Sequence, residues 1–234
     1  MFNSKKNITI EENKDKVKII LIPIFLYNSK VELILNQQDI QSNNKKIKKE
    51  KFILFLQNIY YIKAHDICIN KISIFPSGNL ISVSNDKSIK IYDNKFNLLQ
   101  HIQNAHDDSI NYVDIKDENN FVTCSYDKTI KTWIKKEKEF KINIIIYNSH
   151  EYSISKVIYY GNSKLFSCSQ DETIKIWEKN NKNYQSITIL THFKRILSIL
   201  LLEDKNIIIS GGFDGIKFWN LNNFDLIKNF NDTQ

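Results

Sequence analysis

The chain has 234 residues, 42% of them hydrophobic and 25% charged, enough material for a sizeable core, which excludes a disordered tail protein. The 33 Lys+Arg outweigh 26 Asp+Glu by +7, a balance that on its own points to an anionic partner. Ile, Asn and Lys together fill about 44% of the chain and Arg195 is its sole arginine, the skew of an A/T-rich coding sequence, so the basicity is weak evidence for nucleic-acid binding.

In chain order, Met1 to Lys18 is polar and mixed in charge, without the apolar centre of a secretory signal, so cytosol or nucleus is the default location. Ile19 to Tyr27 is the most apolar run, about half as long as a membrane-spanning helix requires, and holds Pro23. It reads as a buried strand, and no membrane span is expected. Lys16–Tyr27 and Val31–Asn36 read as two strands joined at Asn28-Ser29-Lys30, the basic run Lys45–Lys51 as a solvated loop, and Phe52–Ile62 as a further strand.

From residue 61 the sequence repeats. His65, His106, His150 and His192 recur at intervals of 41, 44 and 42 residues. An aromatic follows each at an offset of 27: Tyr92, Trp133, Trp177 and Trp219. Between them stand Asp86, Asp127, Asp171 and Asp214, each preceded four positions earlier by a hydroxyl: Ser82, Thr123, Ser167 and Ser210. Within each unit the apolar period is two, which argues strands. The first unit reads Ile69–Phe75, a turn at Pro76–Asn79, Leu80–Ser84, a turn at Asn85–Ser88, Ile89–Tyr92, and an outer strand over Asn97–Ile102. The later units turn first at Asp117–Asn120, Gly161–Lys164 and Glu203–Asn206, then at Tyr126–Lys128, Gln170–Glu172 and Phe213–Gly215. Phe224–Phe230 supplies the last outer strand.

The segments Ser82–Asp93 and Ser167–Glu178 closely resemble the third-strand signature of WD-repeat β-propellers, and the resemblance runs from Tyr61 to about Phe230. It departs in detail. The usual Gly-His is Ala64-His65, Ala105-His106, Ser149-His150 and Thr191-His192, and the usual Trp-Asp is Tyr92-Asp93, Trp133-Ile134, Trp177-Glu178 and Trp219-Asn220. The resemblance implies an all-β propeller of four-stranded antiparallel blades. Four blades occupy 61–230, a degenerate N-terminal blade is conceivable within 1–60, and 231–234 is a tail. Propellers close with about 4–8 blades. With so little sequence left over, an incomplete arc or a truncated product is favoured over a closed five-bladed ring.

A repeated Ser, His and Asp could suggest a hydrolase triad, but a nucleophile is needed once and not four times. The resemblance instead implies one structural network per blade: His65/Ser82/Asp86, His106/Thr123/Asp127/Trp133, His150/Ser167/Asp171/Trp177 and His192/Ser210/Asp214/Trp219. Tyr92 in place of Trp alters the first. Cys124 and Cys168 read as small buried hydrophobes; with no Cys-x-x-Cys or close histidine, a zinc site and a disulfide framework are both disfavoured. The five glycines form no phosphate loop, so no cofactor is expected.

The resemblance also implies that three positions per blade point outward on one face: the residue before each aspartate (Asn85, Tyr126, Gln170, Phe213), and those three (Cys68, Ser109, Ser153, Arg195) and five (Asn70, Asn111, Ser155, Leu197) after each histidine. Tyr126, Arg195, Leu197 and Phe213, with Asn111 and Gln170, are the candidate partner-binding residues, because exposed aromatics and Arg anchor interfaces. The leading expectation is a non-enzymatic scaffold for protein or peptide partners. The alternative is an RNA- or anionic-surface binder using Lys45–Lys51 and scattered lysines. An enzyme ranks last.

Overall fold

The computed structural model describes residues 10–13, 16–19 and 64–230. The chain divides into two units, Met1–Tyr60 and Tyr61–Gln234. In the first, β1 (Ile10–Asn13) pairs antiparallel with β2 (Lys16–Ile19), Ile10 opposite Ile19 and Asn13 opposite Lys16. Lys16–Ile19, expected within a strand joined to Val31–Asn36, thus pairs upstream with the polar Ile10–Asn13, because closing so short a hairpin costs little chain entropy. The rest of that expectation, including Val31–Asn36, Lys45–Lys51 and Phe52–Ile62, lies outside the described residues.

The second unit is four four-stranded antiparallel sheets, each made of consecutive strands. The first holds β3 (Ile69–Ile74), β4 (Leu80–Ser84), β5 (Ile89–Tyr92) and β6 (Leu98–Ile102). The second holds β7 (Ile110–Asp117), β8 (Asn120–Ser125), β9 (Ile130–Lys136) and β10 (Glu139–Ile146). The third holds β11 (Ile154–Tyr160), β12 (Lys164–Ser169), β13 (Thr173–Lys179) and β14 (Tyr184–Thr191). The fourth holds β15 (Ile196–Leu202), β16 (Ile207–Gly212), β17 (Gly215–Asn220) and β18 (Leu226–Phe230). These are four propeller blades, and their turns fall where the sequence places them, but the left-handed position of the second turn is filled by Lys or Glu in three blades. The residue after each turn aspartate is left-handed: Lys87, Lys128 and Glu172 at φ 68, 67 and 70°, then Gly215 at 106°.

The blades stack in chain order through their first strands, β3 on β7, β7 on β11 and β11 on β15, and no comparable packing returns from β15 to β3 among the described residues. Three apolar clusters fill the three junctions. Ile81, Val83, Ile89 and Ile91 of the first blade meet Val113, Phe121 and Trp133 of the second. Val122, Cys124 and Ile130 meet Val157, Leu165 and Trp177; Phe166, Cys168, Ile174 and Ile176 meet Ile199, Ile208 and Trp219. Each blade is thus apolar on both faces, and the Trp faces of the second, third and fourth blades pack on the blade before. At about 1.5–3 kcal/mol per fully buried large apolar side chain, these junctions dominate the cohesion of the arc.

Ser84, Ser125 and Ser169 end the second strand of the first three blades, opposite Ile69, Ile110 and Ile154, whereas Gly212 stands opposite Ile196. By sequence logic a serine there would restore the pattern. The geometry forbids it, since a Cβ on Gly212 would lie 2.6 Å from the Arg195 carbonyl oxygen, while one on Gly211 would meet nothing within 4 Å. Gly212→Ser is expected to cost about 1–3 kcal/mol, whereas Gly211→Ala should leave the thermal midpoint within a degree or two, corresponding to about 0.5 kcal/mol. Paired melting curves check both.

Candidate functional site

Each blade's histidine lies on the loop entering its first strand, and its hydroxyl and aspartate lie on and after the second strand. Antiparallel pairing brings them together. The Nε2 atoms of His65, His106, His150 and His192 lie 2.8, 2.8, 2.7 and 2.7 Å from the hydroxyl oxygens of Ser82, Thr123, Ser167 and Ser210. Their Nδ1 atoms lie 2.9, 2.9, 2.8 and 2.7 Å from Asp86, Asp127, Asp171 and Asp214. The indole N–H groups of Trp133, Trp177 and Trp219 donate to the same hydroxyls over 2.9, 2.8 and 2.8 Å. The donors therefore run in one direction: indole N–H to hydroxyl, hydroxyl to Nε2, and Nδ1–H to carboxylate. In the first blade no bond joins Tyr92 to Ser82 among the described residues, so that chain lacks its first link.

A second hydroxyl, absent from the sequence reading, completes three of the networks. Ser88, Thr129 and Thr173, two residues after the aspartate, each donate to its carboxylate over 2.6 Å. Their backbone N–H groups donate to the same carboxylates. So do those of Asp66, Asp107, Glu151 and Phe193, each following its blade's histidine, with Phe193 serving Asp214. A lysine column drawn in from solvent was missed as well, buried at Lys131 and Lys217 and half-buried at Lys175. Lys131, Lys175 and Lys217 cap the loop carbonyls of Ala105, Ser149 and Thr191 at 2.8, 2.8 and 3.0 Å. The recurring dipeptides Ile130-Lys131, Ile174-Lys175 and Ile216-Lys217 carried that signal, but a lysine between strand residues reads as solvent-facing.

The electrostatics follow from burial and donors. Burial opposes charge on Asp86, but donors from Ser88, His65 and Asp66 outweigh it and hold the carboxyl at about 2. Against the same cost of burial, the histidine and hydroxyl donors hold Asp127 and Asp171 well below the usual carboxylate range, and the Phe193 amide with His192 lowers Asp214. Burial pushes His106, His150 and His192 below the ordinary histidine range, against the pull of their aspartates. These histidines are neutral at pH 7, with both ring nitrogens occupied. The four hydroxyls are sealed from solvent, Ser82 at 4% exposure and the rest at 0%. None is positioned to attack a substrate, so the arrangement is a loop clamp and not a catalytic triad. Cys124 and Cys168 are fully buried, and burial pushes the Cys168 thiol up to about 12.

The clamps fix the face above them. In every blade the residue before the aspartate donates its backbone N–H to the residue three after the histidine: Asn85 to Cys68, Tyr126 to Ser109, Gln170 to Ser153 and Phe213 to Arg195, over 3.0–3.1 Å. Two of the three outward columns are therefore pinned side by side. The third does different work. Asn70, Asn111 and Ser155 donate across the junctions to the carbonyls of Ile110, Ile154 and Ile196 at 2.8, 2.7 and 2.7 Å. Asn111 also donates to Ser153 at 3.0 Å, so both its amide hydrogens are engaged within the protein. Tyr126, Leu197 and Phe213 are exposed, Gln170 is half-buried and donates to the Tyr126 hydroxyl, and Arg195 is exposed. Arg195, Phe213, Lys194 and Glu172 line an open depression.

A family model described as WD domain, G-beta repeat matches residues 56–93, 97–133 and 142–178. The chain belongs to the WD-repeat family. That family is generally non-catalytic and typically serves as an interaction scaffold. No curated protein matches the chain. The family match ends before the fourth blade, which nonetheless carries the same His192–Ser210–Trp219 chain. Its aspartate sits 22 residues after the histidine where the other blades have 21, and Gly215, 23 residues after the histidine, stands where they place the second hydroxyl. Lys217 compensates in part, 3.6 Å from Asp214. Among the described residues no His, Cys, Asp or Glu cluster could hold a metal ion, and no helix is long and apolar enough to cross a membrane.

Two predictions follow from the WD-repeat clamps. Asp127→Ala or Asp171→Ala leaves a buried histidine and several amides unpaired, at a cost of about 2–4 kcal/mol, or roughly 5–15 °C in Tm for a domain of this size. Asp86→Ala should cost less, because its clamp lacks the indole; calorimetry of the three variants checks the order. The second concerns pH. The buried histidines take up protons more readily when unfolded, so their stabilisation is complete above about pH 6.5 and falls as pH drops below it. The depressed carboxylates stabilise above about pH 4 and lose that contribution as pH falls towards their folded values. Both signs agree. Tm should be flat from about pH 8 to 7, decline below about 6.5 and fall steeply below about 4, which scanning fluorimetry across pH measures directly.

Proposed function

We propose that this WD-repeat chain is a non-enzymatic scaffold that holds a protein or peptide partner on the face bearing Tyr126, Gln170, Arg195, Leu197 and Phe213. One observation carries this reading. Phe213 and Arg195, two residue types that commonly anchor interfaces, are held together by a backbone hydrogen bond, and both remain exposed beside an open depression. Rigid backbone under exposed anchors lowers the ordering cost of binding. Tyr126, tied to Gln170, extends the same surface by two blades. Asn111 contributes to this face as a support, because its amide is spent on the junction between the second and third blades.

The partner bound there is a polypeptide whose apolar side chain meets Phe213 and Leu197 and whose acidic or carbonyl groups meet Arg195. The chain acts in the cytosol or nucleus, a placement supported by its three unpaired cysteines. The test is affinity capture from the source cell after nuclease treatment, comparing the wild-type chain with a Tyr126→Ala/Arg195→Ala/Phe213→Ala variant of equal thermal stability. Specific proteins retained by the wild type and lost by the variant are the expected result. The same set on both variants removes this face. Binding that vanishes with nuclease and weakens steeply with salt transfers the function to an anionic partner.

A further inference from the structure

We infer that the first and fourth described blades present the two halves of one blade-to-blade junction, and that a second copy of this chain fills them, closing a two-chain ring of eight described blades. The inference uses the blade faces, which share only Leu197, at their edge, with the surface proposed above, and it stands independently of that reading. Register identifies the halves. Val113, Val157 and Ile199 pair with the clamp hydroxyls Thr123, Ser167 and Ser210, and each packs against the preceding blade at 0–1% exposure. Ile72 pairs with Ser82 in the same way, yet it is 54% exposed. Ile74, opposite Leu80, is 64% exposed, whereas its counterparts Ile115, Tyr159 and Leu201 pack against the junction clusters. The first blade thus presents an apolar Trp-type face on which, among the described residues, nothing packs against Ile72 or Ile74.

The fourth blade presents the complement. Ile89, Ile130 and Ile174, at the start of each third strand, are 0% exposed because the next blade covers them, but Ile216 at that position is 47% exposed. Leu200, Ile209, Phe218 and Phe230 share this face; Leu200 is 49% exposed, and Phe218 and Phe230 are in edge contact at 5.7 Å. Leu197 belongs to the same edge. Its counterparts Asn70, Asn111 and Ser155 each bond the following blade's first strand, and Leu197 offers an apolar contact there instead.

The occupant follows from the chemistry of the two faces. Each is what the three internal junctions already pack against, and the partner surface each requires is present on this same chain, at its other end. A head-to-tail contact between copies repeats the internal junction without a new kind of interface. Such heterologous contacts either close or run on as filaments. The described blades of two copies number eight, within the propeller range of about 4–8, so a two-fold ring satisfies both junctions.

The experiment is light scattering coupled to size exclusion on the full chain, with Ile72→Asp and Ile216→Asp variants, each shown to melt cooperatively. The wild type should elute at twice the 27.7 kDa chain mass. Each variant alone should elute as a monomer, because every junction in it has one blocked half. An equimolar mixture should recover a dimer, since the intact tail of Ile72→Asp meets the intact head of Ile216→Asp. If either variant loses its cooperative melt, Ile74→Ser and Leu200→Ser on the same faces replace the pair. A monomeric wild type overturns the inference in favour of cover from within one chain or from another protein. A dimer untouched by Ile72→Asp overturns the head-to-tail arrangement, and mass that grows past two chains overturns the closed ring.

Discussion

A four-stranded sheet that is apolar on both faces cannot stand in water, and everything else in this arc answers that constraint. Val83 and Cys124 point to one side of their blades, while Val113 and Val157 point to the other, and each is buried only because a neighbouring blade is present. The hairpins within a blade set the register, but stacking removes the larger apolar area from water. Cohesion is therefore a nearest-neighbour property, as in other repeat architectures. Each blade stabilises the ones beside it and is indifferent to those further off.

Stacking alone would leave the loops above the blades free to move, and the hydrogen-bonded clamps prevent that. A histidine held at Nδ1 by a carboxylate and at Nε2 by a hydroxyl joins the entry loop to the second and third strands in one buried set of bonds. The carboxylate is the costly member. Burial disfavours its charge, and only the convergence of hydroxyl, imidazole and amide donors makes the ionised form the stable one. The same donors that hold Asp127 and Asp171 ionised hold the backbone on which Tyr126 and Gln170 stand. Stability and the geometry of the outer face thus depend on the same few bonds.

The repeat, the strand order and the four clamp columns were legible in the sequence because they are local and periodic. A histidine, hydroxyl, aspartate and aromatic at fixed offsets leave few other arrangements. What escaped was set by context. Ser88, Thr129 and Thr173 lie in turns where a hydroxyl is ordinary, and only proximity to the histidine ring gives them a second partner. Lys131 and Lys217 are buried against the expectation for a charged side chain, because a loop carbonyl waits at the end of each. Asn111 looked like a surface group because its acceptor, the Ile154 carbonyl, is 43 residues away and meets it only when the blades stack.

The fourth blade shows how much of the pattern the architecture needs. Its aspartate has slipped by one residue, its second hydroxyl is gone, and its serine has become Gly212, yet the bonds from His192 to Asp214 and to Ser210 are as short as their counterparts in the other blades. The slip is tolerable because it falls in turns: Ser210 lies 18 residues after His192 and nine before Trp219 where the third blade has 17 and ten, so one residue is gained in the turn around Glu203–Lys205 and one lost in the turn that ends at Gly215, a glycine at positive φ. The strand pairing is left untouched: Ile199 still stands opposite Ser210 and Ile208 opposite Trp219, where a one-residue shift would turn a side chain to the opposite face. The signature is therefore rigid where it lies on strands and elastic where it lies in the turn, and a blade can drift from the family's sequence pattern at the turn while keeping the clamp that defines it.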